Sequence, residues 1–351
     1  MSSENQEYSQ EYSVDQEIIH FFQKTSTDRS LCDDRAHKLV GGTVTPVAVQ
    51  GVCSYSVYAG PNHEHVVQFR LRSLGLKTEI ANIASNVYGS LVPSVSYHGQ
   101  IGGDDVSGKE PLSVYVMSRV KGISYLDFIL AHNLPENSPE YFTWRENLIS
   151  DIARLFALTW KSPQNLDRAF RGNLYQRYDE DLRRLLVALP DRFHPIIQQS
   201  IDALPAIFSL PMVLLHKDFG MCNVMVDADN NHLVGIIDWA EADIGPFGTN
   251  LHSLQQFMSK YRLGVGWIRY GNYDTLNSSF WNILSAGAGG GEATIRTIKS
   301  AMIVGLLLSH GFTSRLANMP KPEPIRDDES GAYEMLGLDG LLIVPATKLV
   351  D

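Results

Sequence analysis

Short runs of β-branched and aromatic residues dominate the chain between about residues 38 and 120. They are TVTPVAVQG (43–51), SYSVYAG (54–60), HVVQFRL (65–71), VPSVSYHG (92–99) and LSVYVMSRV (112–120). Gly, Pro or Asn bounds most of these runs, which is typical of short strands. A helical pattern at 77–88 follows the third run. The pattern predicts a five-stranded antiparallel sheet with one helix inserted after its third strand.

The pattern becomes helical after about residue 120. Ser124 and Asp127 fit a capping box that opens a helix. Further helices are predicted at 14–24, 175–208, 249–261, 272–286 and 292–310. One β-rich patch interrupts them, because NVMV and HLVGIID flank DADNN in a hairpin signature. The apolar run at 341–345 is expected to pack back on the body of the protein.

These patterns predict an α+β protein with two lobes. Residues 1–14 are polar and lack an apolar pattern, so they are expected to be disordered. A β-rich N-lobe is predicted over 15–120, and a larger, mainly helical C-lobe containing the hairpin over 121–351.

Composition narrows the class of protein. The chain has 351 residues, 44% of them hydrophobic, and 39 acidic against 29 basic residues give a net charge of −10. This charge, without a basic cluster, argues against nucleic acid or an anionic membrane as partner. Three cysteines without metal-ligand spacing argue against a disulfide framework or zinc site. No signal peptide or spanning segment is recognisable, so a cytoplasmic protein is expected. Nothing indicates the oligomeric state.

The stretch LLHKDFGMCNVMV contains two overlapping motifs that assign different roles to Asp218. Asp218-Phe219-Gly220 is the metal-holding motif of protein kinases, whereas His216-x-Asp218-x-x-x-x-Asn223 is a catalytic-loop motif of phosphotransferases. Phosphoryl transfer needs a carboxylate that takes the acceptor proton and oxygen ligands for Mg²⁺. The hairpin that follows ends in IIDW, which places Asp238 where a second metal carboxylate belongs. The catalytic-loop interpretation of Asp218 is therefore favoured.

LLHKDFGMCNVMVD and GIIDWAEADIGPFGTNL resemble the aminoglycoside phosphotransferase and choline kinase family, most closely its fungal members. This family is the small-molecule branch of the protein-kinase-like fold, and the resemblance extends from about Lys38 to Arg315. It implies that Asp218 is the base, that Asn223 and Asp238 hold Mg²⁺, and that His216 supports the loop. It also implies ATP as donor, bound between two lobes, and a small-molecule acceptor.

The resemblance is weaker in the strand HVVQFRL. Alternation places Val66, Gln68 and Arg70 on one face of this strand. Gln68 occupies the position of the family's phosphate-binding lysine. Arg70 would either curl back to the phosphates or serve the surface of the lobe. Glu79, at the position of the family's helix glutamate, would either pair with Arg70 or be an ordinary solvated helix charge.

Other expected nucleotide contacts come from two segments of the N-lobe. Gly51 and Ser54 would offer backbone N–H groups to phosphate from the loop at 50–60. The backbone of Met117 and Arg119 would bind adenine, with Val66 and Met117 packed against it. The alternative for the second segment is a plain strand that leads into a linker.

Two acids after the hairpin are candidates for the acceptor site. Glu241 and Asp243 would line a site for a cationic substrate, or else fix a turn and cap the next helix. The downstream aromatic residues are either a pocket wall or packing of the helical core; they are Trp267, Tyr270, Tyr273 and Trp281.

Two hypotheses about function follow. The first is a small-molecule kinase that phosphorylates a hydroxyl of a metabolite, for example in secondary metabolism, or of an antibiotic. The second is a kinase-like protein without phosphotransfer, either a binding module or an ATP-independent biosynthetic enzyme. Gln68 motivates the second hypothesis, because loss of the lysine removes charge that stabilises the transferred phosphoryl group.

Overall fold

The computed structural model describes residues 12–104, 108–132, 134–314 and 318–349. The chain divides into two compact units. The first contains residues up to Thr78 together with Ser94–Arg119, and the second contains Glu79–Pro93 and everything from Val120 onward. Residues 79–93 thus group with the second unit, although the pattern placed them in the N-lobe. The N-terminal residues 1–11, expected to be disordered, lie outside the described residues.

The first unit is an antiparallel sheet covered by two helices. Its elements are α1 (Val14–Phe22), α2 (Arg29–Val40), β1 (Thr45–Pro46), β2 (Ser54–Ala59), β3 (His65–Leu71), β4 (Val95–Ile101) and β5 (Leu112–Ser118). The strand order is β1-β2-β3-β5-β4, which confirms the predicted five-stranded sheet. β1 is shorter than the predicted run at 43–51, because Pro46 has no N–H to extend the ladder.

One face of this sheet packs against α1 and α2. Val67 and Phe69 of β3 are fully buried in that core, together with Phe21 from α1 and Cys32 from α2. Strand alternation therefore puts Val66, Gln68 and Arg70 on the opposite face. The sequence pattern missed α2, since this helix is polar and buries only Cys32 and Ala36.

The second unit is mainly helical and contains three small β-sheets. Its helices are α3 (Thr78–Tyr88), α4 (Tyr125–Ala131), α5 (Pro139–Trp160), α6 (Arg168–Ala188), α7 (His194–Ile207), α8 (Gln255–Met258), α9 (Tyr273–Ala288), α10 (Glu292–His310) and α11 (Ala332–Leu342). Its strands are β6 (Ile123–Ser124), β7 (Met212–Leu215), β8 (Val224–Val226), β9 (Leu233–Ile236), β10 (Asp243–Pro246), β11 (Ser259–Arg262) and β12 (Gly266–Arg269). The α+β fold class is thereby confirmed. No helix among the described residues is long and apolar enough to span a membrane.

Two predicted helices differ from the structure. The helix expected at 175–208 is divided into α6 and α7, because Leu189 is extended before Pro190, as residues before proline prefer. The helix expected at 249–261 is a short 3-10 turn followed by α8 and the β11–β12 hairpin. Gly264 and Gly266 give the hairpin turn positive φ values of 72° and 91°, a backbone conformation that glycine adopts without strain.

The elements around the candidate motif have the expected order. β8 and β9 form the predicted hairpin, with Val224 opposite Ile236, and β6 adds to its edge. β7 pairs with β10, which sets Asp243 opposite Leu215. Ser124 caps α4, accepting from the Asp127 amide at 3.0 Å and donating to its carboxylate at 2.7 Å.

Candidate active site

The loop from His216 to Asn223 leaves a fully buried strand, β7, and presents Asp218 to solvent. The Asn223 Nδ2 donates to both Asp218 Oδ2 and the Asp218 carbonyl oxygen, each at 2.9 Å. Asn223 is only 9% exposed, so a buried amide holds an exposed carboxylate. Among the described residues, Asp218 Oδ1 receives no hydrogen bond and is available to a substrate.

His216 connects this loop to the end of the hairpin. Its Nε2 donates to the Ile237 carbonyl oxygen at 2.9 Å, and its ring lies edge-on to Trp239. Burial lowers the pKa of His216, which favours the neutral ring. Its buried Nδ1 has no hydrogen-bond partner in the described parts of the chain. These contacts are those of a residue that positions the loop.

Asp238 lies next to Asn223 through the hairpin register. The Ile237 amide donates to the Asn223 carbonyl oxygen at 3.0 Å, and Asp238 is the following residue. Asp238 has a φ of +59°, a left-handed conformation that is uncommon and strained for a residue with a side chain. The backbone therefore turns at Asp238, which is exposed although Ile236 is fully buried.

The Asp218 and Asp238 carboxylates both act electrostatically on the His216 ring. They oppose the lowering of its pKa by burial. The Asn223 amide oxygen accepts no hydrogen bond from a described residue, because Nδ2 is the atom turned toward Asp218. The Asp238 carboxylate and the Asn223 amide oxygen are hard ligands of the kind that suits Mg²⁺. No group of three His, Cys, Asp or Glu that could hold a metal exists among the described residues, so substrate phosphates and water would complete the coordination.

The two predicted acceptor-site acids differ in their surroundings. Asp243 is part of β10, where one oxygen accepts from the Ile244 amide at 2.8 Å and the other lies 3.6 Å from an Arg177 nitrogen. This ion pair and strand position match the structural alternative for Asp243. Glu241 is half-buried in the turn between Asp238 and β10.

In the first unit, Gln68 belongs to a chain of polar side chains. Its Nε2 donates to Ser56 Oγ at 3.1 Å, and its Oε1 accepts from Arg70 Nη1 at 3.4 Å. Arg70 Nε donates to the Leu74 carbonyl oxygen at 2.9 Å. Arg70 is only 9% exposed, so the alternative in which it serves the lobe surface is wrong.

Two predicted nucleotide contacts have backbone amides that are already bonded. The Ser54 amide donates to the Gly51 carbonyl oxygen at 3.2 Å, and Ser54 is buried opposite Arg70. The Arg119 amide donates to the Glu64 carbonyl oxygen at 2.8 Å. Neither Ser54 nor Arg119 therefore offers a free N–H in this structure, contrary to the expectation from sequence.

The remaining predicted nucleotide contacts stay compatible with their positions. Val66 and Met117 are opposite each other in the β3–β5 pair, and both are half-buried. Glu79 is exposed in the first turn of α3, where a carboxylate stabilises the helix N-terminus. This position matches the solvated-charge alternative for Glu79.

The sequence analysis missed Asp127 as a neighbour of the catalytic loop. Asp127 and Asp218 both raise the pKa of the Cys222 thiol, after burial, which is the largest cause. The Leu126 amide donates to the Met221 carbonyl oxygen at 3.1 Å, so the start of α4 is anchored to the loop. The capping box was a signal for the helix, but not for this contact across the fold.

The site consists of the loop that carries Asp218, the β8–β9 hairpin, and a second carboxylate, Asp238, at the end of that hairpin. This arrangement is typical of a phosphotransferase of the kinase-like class. The family model described as "Phosphotransferase enzyme family" matches residues 72–264, more than half of the chain, and the chain belongs to that family. The resemblance recognised from the sequence is thus confirmed. No curated protein sequence matches the chain significantly.

Solved structures show the same fold at low sequence identity. A protein from Ralstonia eutropha assigned as an aminoglycoside phosphotransferase is 14% identical, with a TM-score of 0.50 over 81% of this chain and 88% of that one. A macrolide 2'-phosphotransferase from Brachybacterium faecium is 12% identical, with a TM-score of 0.49 over 80% of this chain and 90% of that one. At 14% identity, the Ralstonia structure shows a shared fold alone and leaves the substrate to be determined.

Proposed function

We propose that this protein is an ATP-dependent kinase of a small molecule, with Asp218 as the base. The observation that carries the proposal is the pair of hydrogen bonds from buried Asn223 to Asp218. They fix one carboxylate oxygen and leave the other for an acceptor hydroxyl. Such a preorganised carboxylate is what phosphoryl transfer requires of a protein.

In the proposed reaction, the acceptor oxygen attacks the γ-phosphorus of ATP. A new phosphorus–oxygen bond forms to the acceptor, and the bond from the γ-phosphorus to the bridging oxygen breaks. The electron pair of the broken bond leaves with ADP, and Asp218 takes the hydroxyl proton. His216 holds the loop through Ile237, so that Asp218 keeps its orientation.

Asn223 and Asp238 fit the role of Mg²⁺ ligands. Their register places them side by side, and the amide oxygen of Asn223 is free of donors among the described residues. A bound Mg²⁺ would neutralise negative charge on the nucleotide phosphates. The left-handed conformation of Asp238 supports this role, since backbone strain is concentrated at functional sites.

Asp218→Asn tests the assignment of the base. We expect the rate of ADP release with a true acceptor to fall by about 10²–10⁴, because a positioned base contributes that much. Asp191→Asn is the control, since that carboxylate is fully exposed. Turnover by Asp218→Asn within a few-fold of wild type would show that another group takes the proton.

The second candidate function is nucleotide binding or other chemistry without phosphoryl transfer. It is favoured by the position of Gln68, which is neutral and bonded to Ser56 and Arg70. If Arg70 replaces the lysine, it must first leave its bond to the Leu74 carbonyl oxygen. Mg-ATP binding separates a kinase from an ATP-independent protein, and the metal dependence of that binding separates a kinase from a nucleotide-binding module.

A further inference from the structure

Arg145 is a buried cation without a hydrogen-bond partner. It is in α5, is only 5% exposed, and none of its N–H groups bonds to a described residue. Its Nη1 is completely shielded from solvent. A buried charge is costly unless it is paired, and a guanidinium has five donors to satisfy. Something absent from the folded chain is therefore expected to meet these donors.

Aromatic rings surround the guanidinium but do not satisfy it. The central carbon of Arg145 is 3.8 Å from the ring centroid of Tyr270 and 5.2 Å from that of Tyr141. Ring faces attract the positive charge, whereas guanidinium N–H groups point outward in the guanidinium plane and need oxygen acceptors. Burial raises the pKa of the Tyr125 hydroxyl above its ordinary value, and Arg145 partly opposes this rise.

The neighbouring charges are already matched to each other. Burial raises the pKa of both Tyr141 and Tyr270, Arg145 opposes this rise, and Glu136 adds to it. Glu136 forms an ion pair with Lys260. Neither Arg145 nor Arg269 has a carboxylate partner among the described residues, but Arg269 bonds to the Lys348 carbonyl oxygen and stacks on Tyr273. One negative charge would match Arg145.

Further polar atoms without partners lie in the chain next to Tyr270. Both amide atoms of Asn272 are buried without a hydrogen-bond partner among the described residues, as is Arg269 Nε. The hydroxyls of Tyr125 and Tyr270 also bond to no described residue. Buried polar groups are nearly always hydrogen-bonded in native proteins, so this concentration indicates a site for a polar ligand.

This cluster adjoins the catalytic loop. The ring of Tyr125 packs on Phe257 at 5.4 Å, and Phe257 packs on Phe219 at 5.6 Å. Phe219 directly follows Asp218 in the chain. One aromatic layer thus separates the ring of Tyr125 from the residue next to the proposed base.

We propose that Arg145 binds the carboxylate of the acceptor, which would make the acceptor a hydroxy acid. This inference rests on the proposed kinase function. A planar carboxylate matches the guanidinium fork and carries the single charge that the cluster lacks. A phosphate dianion fits less well, because Glu136 lies close by. The tyrosine rings would enclose the organic part of the acceptor, and its hydroxyl would have to pass the buried rings of Phe257 and Phe219 to reach Asp218.

Arg145→Met and Arg154→Met form a matched pair of variants for the test. Both arginines are in α5, but Arg154 is exposed and paired with Asp151. The probes are D-glycerate and 4-hydroxybenzoate, each compared with its neutral counterpart, glycerol or 4-hydroxybenzamide. We expect at least one carboxylate probe to raise the melting temperature of wild type and Arg154→Met, and the neutral counterpart to leave it unchanged. Arg145→Met should bind that probe at least tenfold more weakly in calorimetry.

Stability without a ligand separates a binding role from a structural one. Because Met replaces an unpaired buried charge, Arg145→Met should melt at the same temperature as wild type or higher. Arg145→Lys keeps the charge but lacks the fork, so its binding of the probe should also weaken. The proposal would be overturned if wild type and Arg145→Met bound the carboxylate probes equally well, or if wild type bound neither probe. A lower melting temperature of Arg145→Met beside either result would assign Arg145 a structural role.

The variant Asp218→Asn shows whether the carboxylate site or the proposed kinase function is wrong, because it separates probe binding from phosphoryl transfer. That variant should bind the carboxylate probe with unchanged affinity and transfer no phosphoryl group. If it binds the probe and still transfers phosphoryl groups, the assignment of the base fails and the carboxylate site stands. If Asp218→Asn alone abolishes turnover and Arg145→Met leaves probe binding intact, the kinase function stands and the carboxylate site fails.

Discussion

Asp238 combines a proposed metal-binding role with a strained backbone, and the two can be separated by substitution. Glycine adopts a φ of +59° without strain, although it also adds flexibility to the unfolded chain. We therefore expect Asp238→Gly to change the free energy of unfolding by no more than about 1 kcal/mol. Phosphotransfer should fall by at least about 100-fold, because a charge-stabilising group is lost.

Denaturant unfolding and ADP release measure these two effects on Asp238→Gly. His63→Gly is a suitable control, since His63 also has a positive φ, 52°, but is a turn residue outside the proposed chemistry. A parallel loss of stability and activity in Asp238→Gly would mean that the carboxylate serves the fold.

His252 makes stability depend on pH. It is 7% exposed, its Nδ1 donates to the Thr249 carbonyl oxygen, and burial lowers its pKa to about 3. In the unfolded chain a histidine titrates near 6.5. Between these values the unfolded state binds more protons, so stability present above pH 6.5 is lost as the pH falls toward 3. The loss is about 2 kcal/mol at pH 5.

Urea unfolding at pH 7 and pH 5 checks this prediction. His252→Gln should show a smaller difference between the two pH values than wild type. His20→Gln, which alters an exposed histidine, should show the wild-type difference. Identical pH dependence in wild type and His252→Gln would rule out His252 as the source.

Single residues show which roles can be predicted from sequence. The proposed site residues Asp218, Asn223 and Asp238 were predicted from motif spacing, since one loop and one hairpin of given length connect them locally. The buried state of Arg70 and its bond to the Leu74 carbonyl were not predictable, since strand alternation indicates a face but not a partner. Arg145 had a signal that was missed. It precedes Leu148 and Ile149 by three and four residues, and thus lies on the apolar face of α5.

At the scale of elements, the turn of the β8–β9 hairpin holds the register that aligns Asn223 with Ile237. Asn231 in this turn has a φ of +58°, and its buried Nδ2 donates to the Trp144 carbonyl oxygen. We expect Asn231→Ala to destabilise the protein by about 1–3 kcal/mol, since it combines backbone strain with loss of a buried hydrogen bond.

Chemical denaturation of Asn231→Ala and Asp229→Ala provides the measurement. Asp229 is exposed in the same turn, so its substitution should change stability by less than about 0.5 kcal/mol. If Asn231→Ala changed the free energy of unfolding as little as Asp229→Ala does, the turn would tolerate other residues at position 231.

Elements with a strong local signal were predicted well. β3 has the predicted limits, and α10 coincides with the predicted helix at 292–310. The start of β11 was mistaken for the end of the helix predicted at 249–261, because β11 and β12 have four residues each and too few positions to show alternation. The helix α2 was missed because its packing on the sheet, rather than its own periodicity, stabilises it.

At the scale of the whole molecule, Mg-ATP binding and its metal dependence separate a kinase from an ATP-independent protein and from a nucleotide-binding module. A ligand that binds only the folded state stabilises it, by about 2.7 kcal/mol at a concentration 100 times its Kd. We expect Mg-ATP to raise the melting temperature and ATP without metal to raise it less, because Asn223 and Asp238 would act through Mg²⁺. The absence of any binding at millimolar Mg-ATP would favour the second candidate function.

The sequence by itself determined the two-part α+β organisation, the family and the chemical groups of the proposed site. These follow from local periodicity and from residue spacing within one loop and one hairpin, which need no knowledge of distant contacts. Only the tertiary structure decided that Ser54 and Arg119 have bonded amides, that Arg70 is buried, and that Arg145 lacks a hydrogen-bond partner among the described residues. Each of these depends on the burial and hydrogen bonding of groups brought together by folding, which local patterns do not encode.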